Sequence, residues 1–241
     1  PAGVIVNGNN RMVDGGYPHF ITRDWPDAFR ADRIQALIDR SPQHSLDSMA
    51  AMQADAFAGE APTILPILLR LLGAPDGETA RAAAAMLAGW DLRLGREKPE
   101  PALYVAWLER VWRRVVADEL GELAAGINNP RPAVLARLLT ERTAWCDNLR
   151  STEAESCVEQ VRGGFADALE EVTARLGSDR AAWRWGRLHQ ARFRNQLLSR
   201  LPGLGALFTI AIETDGGNFS INRGTASGDP TRGYEHVHGP G

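Results

Sequence analysis

Apolar and polar residues at the start of the chain follow the pattern of a buried strand that ends in a turn. Residues 4–6 are Val, Ile and Val, which favour strands, and residues 8–10 are Gly, Asn and Asn, which favour turns. Residues 1–21 are therefore predicted to contain a buried strand and a turn that holds a polar side chain at the strand end.

The longest part of the chain, residues 30–177, has apolar residues at the three- and four-residue spacing of amphipathic helices. Thr152 and Glu155 are spaced as a capping box at the start of the last long helix, and Gly177 ends that helix. The helices are predicted at residues 30–41, 46–57, 63–72, 77–90, 102–120, 132–142 and 153–176.

From residue 183 the pattern changes to the two-residue period of a strand. Trp183, Trp185, Arg187 and His189 occupy alternate positions, and residues 205–212 form a second β-like run. Residues 183–241 are therefore predicted to return to the sheet that the opening strand begins. The predicted fold class is α+β, a mostly helical excursion flanked by sheet strands at both ends.

The composition excludes several classes of partner. Apolar residues make up 44% of the 241 positions and charged residues 24%, the proportions of an ordinary globular protein. A net charge of −3 gives no general attraction to nucleic acid or to an anionic membrane surface. The longest apolar run, residues 64–72, is too short to span a bilayer and contains Pro66 and Arg70. No nucleic-acid or membrane partner is expected.

The asparagines of the predicted turn are the first candidates for chemistry. A side-chain amide carries two N–H donors and no charge, so it can be held ready for a carbonyl oxygen that becomes negative during acyl transfer. The alternative is structural, because asparagines in turns commonly bond their own backbone. Spacing alone favours the structural role for Asn9 and Asn10.

Several short motifs occur in a fixed order along nearly the whole chain. They are Asn9-Asn10 before Tyr17-Pro18, Asp32-Arg33-Ile34 at a helix start, Gln53-Ala54-Asp55, Gly89-Trp90-Asp91, Trp145-Cys146-Asp147, the Trp183 to His189 stretch and His238-Gly239-Pro240. Each motif is weak alone, but in this order they resemble the β chain of the penicillin acylase (penicillin amidase) family of N-terminal-nucleophile hydrolases. The resemblance implies that this chain is a fragment of the αββα fold of that family.

The resemblance also implies roles for two residues of the chain. Asn9 matches an oxyanion-hole donor. Arg33, in an Ala-Asp-Arg context, matches an arginine that would orient the asparagine or meet a carboxylate on the substrate. Such enzymes use a serine, less often another small nucleophile, at the free amino terminus of the β chain, with its own α-amine as base. This chain begins at Pro1, so we expect the nucleophile, the α chain and the remaining β-chain segments to lie outside it.

The function implied by the resemblance is hydrolysis of a linear amide that joins an acyl side chain to a β-lactam or to a homoserine lactone. The activity would belong to a longer precursor, and this chain alone is expected to be inactive. Two alternatives stay open: a family member that lost its nucleophile, and a non-catalytic helical interaction module. The second would explain the amphipathic helices but not the ordered motifs.

A structural calcium ion near the site is a further implication of the resemblance. Asp24 is the candidate ligand, and the other ligands would come from segments outside this chain. The alternative is that Asp24, which lies close to Pro26, caps a helix. No other cofactor is expected.

Cys146 and Cys157 lie eleven positions apart, which fits neither a CxxC redox motif nor a zinc knuckle. The two residues are either separate buried thiols or a disulfide that closes a short loop. Related sequences of the family carry a comparable Trp-Cys-Asp pair, and this favours the disulfide. A disulfide implies the periplasm or the outside of the cell.

Overall fold

The computed structural model describes residues 3–126, 129–195, 197–198, 205–227 and 232–238. Residues 239–241, which include the end of the predicted His-Gly-Pro motif, lie outside the described residues. The helices in the described ranges are α1 (Phe29–Ile38), α2 (Leu46–Gln53), α3 (Ala61–Leu72), α4 (Glu78–Ala88), α5 (Glu100–Leu120), α6 (Pro132–Thr140), α7 (Cys157–Leu176) and α8 (Trp185–Leu188). The strands are β1 (Gln190–Arg194), β2 (Thr209–Glu213), β3 (Thr225–Ala226) and β4 (His236–His238).

Helix α5 lies at the centre of the hydrophobic core, and its sequence explains why. Leu103, Trp107 and Val111 recur every four residues, so they share one face, and all three are fully buried. Trp107 packs edge-on against Phe165 of α7, with the ring centroids 4.9 Å apart. The indole N–H of Trp107 also donates to the carbonyl of Val161 at 3.0 Å. These contacts join α5 to α7, and α3, α4 and α6 pack around this pair.

The start of α7 differs from the prediction. Ser156 and Glu159 form its capping box: Ser156 Oγ accepts the N–H of Glu159 at 3.3 Å, and Glu159 Oε2 accepts the N–H of Ser156 at 2.7 Å. The predicted box of Thr152 and Glu155 is wrong. Glu155 instead accepts the N–H of Asn148 at 2.9 Å. Both pairs have the same spacing in the sequence, so the contact of Glu155 with the preceding loop decides between them.

The predicted disulfide is confirmed. Cys146 and Cys157 are bridged, with their Cα atoms 4.9 Å apart, and the bridge joins the turn Thr143–Cys146 to the first residue of α7. Gln160 Nε2 donates to the carbonyl of Cys146 at 2.9 Å, so a hydrogen bond crosses the same junction.

Loss of this disulfide is expected to destabilise α7. Replacing Cys146 and Cys157 with serine should lower the free energy of unfolding by about 3 kcal/mol, because the bridge closes a short loop and restricts the unfolded chain. Native-state hydrogen exchange of the α7 amides in the full-length protein measures this change. Chemically reduced wild-type protein is the control and should match the double variant. Equal protection in the oxidised and reduced wild type would contradict the prediction.

The predicted opening strand is wrong. Residues 4–6 have no strand conformation, and Val4 and Ile5 are 44% and 96% exposed. A β-branched run becomes a strand only where a neighbouring strand takes up its backbone hydrogen bonds. Within the described ranges, no strand pairs with residues 4–6. In the described part of the chain, the sheet therefore flanks the helices at their C-terminal end only.

The C-terminal return to a sheet is confirmed in part. The strands form a mixed sheet in the order β2-β1-β4-β3, in which β1 is antiparallel to β2 and parallel to β4. The second β-like run, residues 205–212, overlaps β2 at residues 209–212, whereas residues 205–208 form a 3₁₀ turn. The strand predicted at residues 183–189 is wrong, because residues 185–188 form the single helical turn α8 and β1 begins afterwards.

The alternation that predicted a strand at residues 183–189 has a different cause. Trp183 and Trp185 are both buried for their apolar ring surface, and each indole N–H is satisfied by a backbone carbonyl, that of Gly177 at 2.7 Å and that of Gly216 at 3.0 Å. His189 is also buried and stacks on Trp185, with the ring centroids 4.6 Å apart. Burial lowers the pKa of His189 to about 4, so the ring is neutral at pH 7.

The described part of the chain is thus α+β, with the helices before the sheet. Helices α5 and α7 have 21 and 20 residues, but charged residues occur along both. Across the described ranges, no helix combines the length and the hydrophobicity that a bilayer crossing requires.

Candidate active site

The polar turn at residues 7–10 is held by its own side chains. Asn7 Oδ1 accepts the backbone N–H of Asn9 at 2.8 Å, and Asn10 Oδ1 accepts that of Gly8 at 3.1 Å. Asn9 has a φ of 66°, in the left-handed region that asparagine tolerates better than most residues. Asn7 and Asn10 therefore have the structural role that asparagines commonly take in turns, which leaves the Asn9 amide for other contacts.

The Asn9 side chain is exposed and bonds to the first turn of α1. Arg30 Nη2 donates to Asn9 Oδ1, and the same nitrogen donates to the carbonyl of Gly8 at 2.7 Å. Because the amide oxygen faces a cation, the NH₂ group of Asn9 points the other way. Burial and the nearby charge of Arg223 lower the pKa of Arg30, but an arginine remains protonated in proteins. A fixed cation therefore orients the Asn9 amide and polarises its N–H donors.

Gly8 brings the turn directly against α1. It is buried, and a Cβ at this position would lie 2.8 Å from the backbone nitrogen of Ala31 and 3.2 Å from its Cα. Such distances leave no room for a side chain. The position of Asn9 is consequently set by backbone packing as well as by the bond to Arg30.

Arg33 lies one helical turn after Arg30, and its guanidinium bonds Asp55. Arg33 Nε donates to Asp55 Oδ1 at 3.0 Å and Arg33 Nη2 donates to Oδ2 at 2.8 Å, a bidentate pair. The guanidinium also lies over the ring of Phe57, 4.4 Å from its centroid. The Arg33 and Asp55 side chains are only 15% and 7% exposed. Arg33 thus joins α1 to the segment after α2, and among the described residues it is Arg30 that bonds Asn9.

The Asp55 carboxylate is held in its charged form. Burial alone would raise its pKa, but the hydrogen bonds and charge of Arg33, with the charge of Arg93 at 3.6 Å, lower the pKa below its ordinary value. The backbone N–H of Phe57 donates to Asp55 Oδ1 at 3.2 Å and contributes to the same effect.

The C-terminal part of the chain returns to this region. Phe219 packs edge-on against Phe29, the first residue of α1, with the ring centroids 5.8 Å apart. The backbone N–H of Asn222 donates to the carbonyl of Asp55 at 2.9 Å. A Cβ at Gly59 would lie 3.1 Å from both Phe29 Cβ and the Phe219 carbonyl, so the three segments are in close contact. The start of α1 is therefore supported from both halves of the chain.

Asp24 forms an ion pair with an arginine. Its Oδ1 accepts from Arg131 Nη1 at 2.8 Å, its side chain is 74% exposed, and the hydrogen bond and charge of Arg131 lower its pKa. The described residues contain no group of three His, Cys, Asp or Glu side chains that could hold a metal ion. The residues present therefore do not make a calcium site by themselves. Asp24 remains a predicted ligand for a site completed by other segments.

Arg30 was not among the site residues predicted from the sequence. Its position was informative, since side chains in the first turn of a helix point back toward the preceding chain, and here the preceding chain contains the Asn9 turn. The Ala-Asp-Arg motif predicted Arg33 instead. The contact between Arg30 and Asn9 spans 21 positions and cannot be read from local spacing.

The known proteins to which this chain is similar are acylases. The model of the penicillin amidase family matches residues 1–241. Acyl-homoserine lactone acylase QuiP of Pseudomonas aeruginosa is 28% identical over 225 residues, which cover 85% of this chain and 27% of that protein. Penicillin acylase 2 proenzyme of Pseudomonas sp. (strain SE83) is 27% identical over 222 residues, which cover 90% of this chain and 28% of that protein.

The chain thus spans less than a third of the length of these curated relatives. The family match nevertheless extends over the whole chain, from the asparagine turn to the C-terminal strands. The chain therefore belongs to the penicillin amidase family.

Proposed function

We propose that the full-length protein is an acylase that hydrolyses a linear amide and that Asn9 donates to the oxyanion. The observation that carries the proposal is the orientation of Asn9. Arg30 binds the amide oxygen, so both N–H donors of an exposed side chain face away from α1. Preorganised donors of this kind stabilise the negative oxygen of a tetrahedral intermediate. The names of the relatives, a homoserine lactone acylase and a penicillin acylase, support the same class of reaction.

In the proposed reaction the nucleophile is a serine at the free amino terminus of the β chain, outside these residues. Its hydroxyl oxygen attacks the amide carbon while the α-amine takes the hydroxyl proton. The carbonyl oxygen becomes negative and accepts a hydrogen bond from Asn9 Nδ2. The C–N bond then breaks, the proton passes to the leaving amine, and water hydrolyses the acyl-enzyme ester. Arg30 is a positioning residue in this scheme, and Arg33 supports α1 through Asp55.

The proposed substrates are N-acyl homoserine lactones and β-lactams with an acyl side chain. The proposed location is the periplasm or the outside of the cell, which the disulfide of Cys146 and Cys157 supports because such bridges persist in oxidising compartments. The proposed partners of the chain are the α chain and the other β-chain segments, in keeping with the proenzyme name of one relative.

The test is an assay of the full-length precursor and of residues 1–241 alone. Both are incubated with hexanoyl- and dodecanoyl-homoserine lactone, a phenylacetyl β-lactam and a glutaryl β-lactam, and the released amine is quantified. We expect turnover by the processed full-length protein and none by residues 1–241. Sequencing of the new amino terminus after processing should identify the nucleophile.

Two outcomes would contradict the proposal. In one, a correctly processed full-length protein releases no more amine than a control variant, whichever of the four substrates is used. The control variant has its amino-terminal nucleophile replaced by alanine. In the other, residues 1–241 alone give turnover that survives further purification.

A further inference from the structure

An apolar groove of about 630 Å³ lies along α7, beside the connection between α3 and α4. Its floor is made by Leu72 and Phe165, which are almost completely buried. Ala80, Ala166 and Leu169 form its walls, and the small alanine side chains leave the space open. The floor of the groove therefore belongs to the hydrophobic core, Ala80 and Leu169 pack against that core, and Ala166 is an exposed residue at the rim.

The dimensions of the groove suit an elongated small molecule. Its lining on α7 runs from Arg162 to Ala174, which at 1.5 Å per residue is about 18 Å. Its volume falls in the range of roughly 300–1,000 Å³ that small-molecule sites occupy. The groove shares no lining residue with the region around Asn9.

A cation stands at one end of the groove. Arg162 Nε donates to the carbonyl of Leu72 at 3.0 Å, at the end of α3. A Cβ at Gly73 would lie 3.4 Å from Arg162 Nη2, so the guanidinium rests against the residue that ends this helix. Asp76 and Glu170 also line the groove, but among the described residues no carboxylate forms an ion pair with Arg162. The guanidinium keeps N–H donors with which it can bind an anion in a planar, bidentate manner.

We propose that this groove binds a long-chain carboxylate, with the alkyl chain along α7 and the carboxylate on Arg162. An alkyl chain matches the apolar walls and the length of about 18 Å, and its anionic end matches Arg162, the one cationic side chain among the described residues that line the groove. The site goes beyond the proposed amide hydrolysis, since it is separate from Asn9 and needs no catalytic group. A segment of the full-length protein that fills the groove is the competing occupant.

The experiment is calorimetric titration of the full-length protein with octanoate, decanoate and dodecanoate. The affinity should increase by up to about fourfold for each added methylene, the equivalent of about 0.8 kcal/mol for a buried CH₂. Arg162→Gln should weaken dodecanoate about tenfold, the fold-change of one charge-assisted hydrogen bond, but should not change the affinity for the neutral dodecanol. If Arg162→Gln weakens the affinity for dodecanoate and for dodecanol equally, Arg162 does not bind the carboxylate.

A second variant distinguishes binding in the groove from binding at the acyl site of the proposed reaction. Ala166→Trp fills the groove and should weaken dodecanoate at least tenfold, while turnover of hexanoyl-homoserine lactone stays unchanged. Ala85→Trp is the matched control, because Ala85 is exposed on α4 and outside the groove. The proposal is overturned if wild-type protein does not bind dodecanoate, as expected for a groove filled by another segment. It is also overturned if Ala166→Trp binds as well as Ala85→Trp.

Discussion

Asn9→Ala is expected to lower the kcat of the full-length enzyme by about 10²–10³-fold, or about 2.7–4 kcal/mol, as the loss of one oxyanion donor does. Asn9→Asp should be at least as damaging, because a carboxylate offers no N–H and repels the developing charge. Processing of the precursor should be largely intact in Asn9→Ala. Steady-state kinetics on the processed enzyme, with a hydrogen-exchange comparison to exclude misfolding, measure the effect.

The neighbouring residues supply the controls for this prediction. Asn10→Ala removes a turn bond to the Gly8 N–H but no proposed donor, so it should reduce kcat far less than Asn9→Ala. Arg30→Met should lower kcat in the wild type and have little further effect when Asn9 is already alanine, since Arg30 acts through Asn9. If Asn10→Ala alone removes the activity, Asn9 is the wrong asparagine. Additive effects of Arg30→Met and Asn9→Ala would show that Arg30 acts elsewhere.

Arg33→Met is expected to destabilise the start of the chain by about 3 kcal/mol. Removing one partner of a buried ion pair typically costs 3–5 kcal/mol, because the other charge is left without compensation. We expect the lower end, since Arg93 remains 3.6 Å from Asp55. Native-state hydrogen exchange of the α1 amides in the full-length protein measures the change. Arg137→Met is the matched control, because the Arg137 and Glu141 side chains are 67% and 61% exposed, and it should change stability by less than about 1 kcal/mol.

The same ion pair predicts the sign of a pH effect. The pKa of Asp55 in the folded protein lies below its ordinary value, chiefly because the bonds and charge of Arg33 outweigh the effect of burial. The stabilisation is therefore complete above the unfolded-state pKa of about 3.9 and is lost as the pH falls through the folded-state value. The stability difference between wild type and Asp55→Asn should be constant from pH 8 to pH 5 and should shrink below about pH 4. A difference that grows on acidification would contradict this assignment.

Most of the helical part could be predicted from the sequence because its signal is local. The spacing of Leu103, Trp107 and Val111 requires one buried face whatever the neighbours are, and α5 has that face. The run at residues 4–6 has an equally clear β-branched composition. A strand, however, also needs a partner for its backbone, and composition cannot provide one. The first residue of α7 could not be predicted from the sequence either. Glu155 contacts the preceding loop, and Ser156 is the N-cap residue of the helix.

From the sequence, the candidate site could be predicted only as one candidate side chain, Asn9, without the residues that position it. Asn9 was chosen by resemblance and its role stays a prediction, to which the structure adds the contact with Arg30. The partner of Arg33 was not predicted, because Asp55 lies 22 positions away. Three asparagines in four residues look alike in the sequence. Only the fold distinguishes the two that close the turn from the one whose amide oxygen is bound by a cation.

Gly8 limits how the substrate range of the full-length protein can be altered by random mutagenesis. A methyl group at this residue would meet the backbone of α1 at 2.8 Å, and a helix backbone cannot rotate away as a side chain can. Each substitution at residue 8 would move the whole turn, and with it Asn9, the proposed oxyanion donor. A combinatorial library should therefore keep glycine at this codon and place its diversity in residues that contact the acyl group.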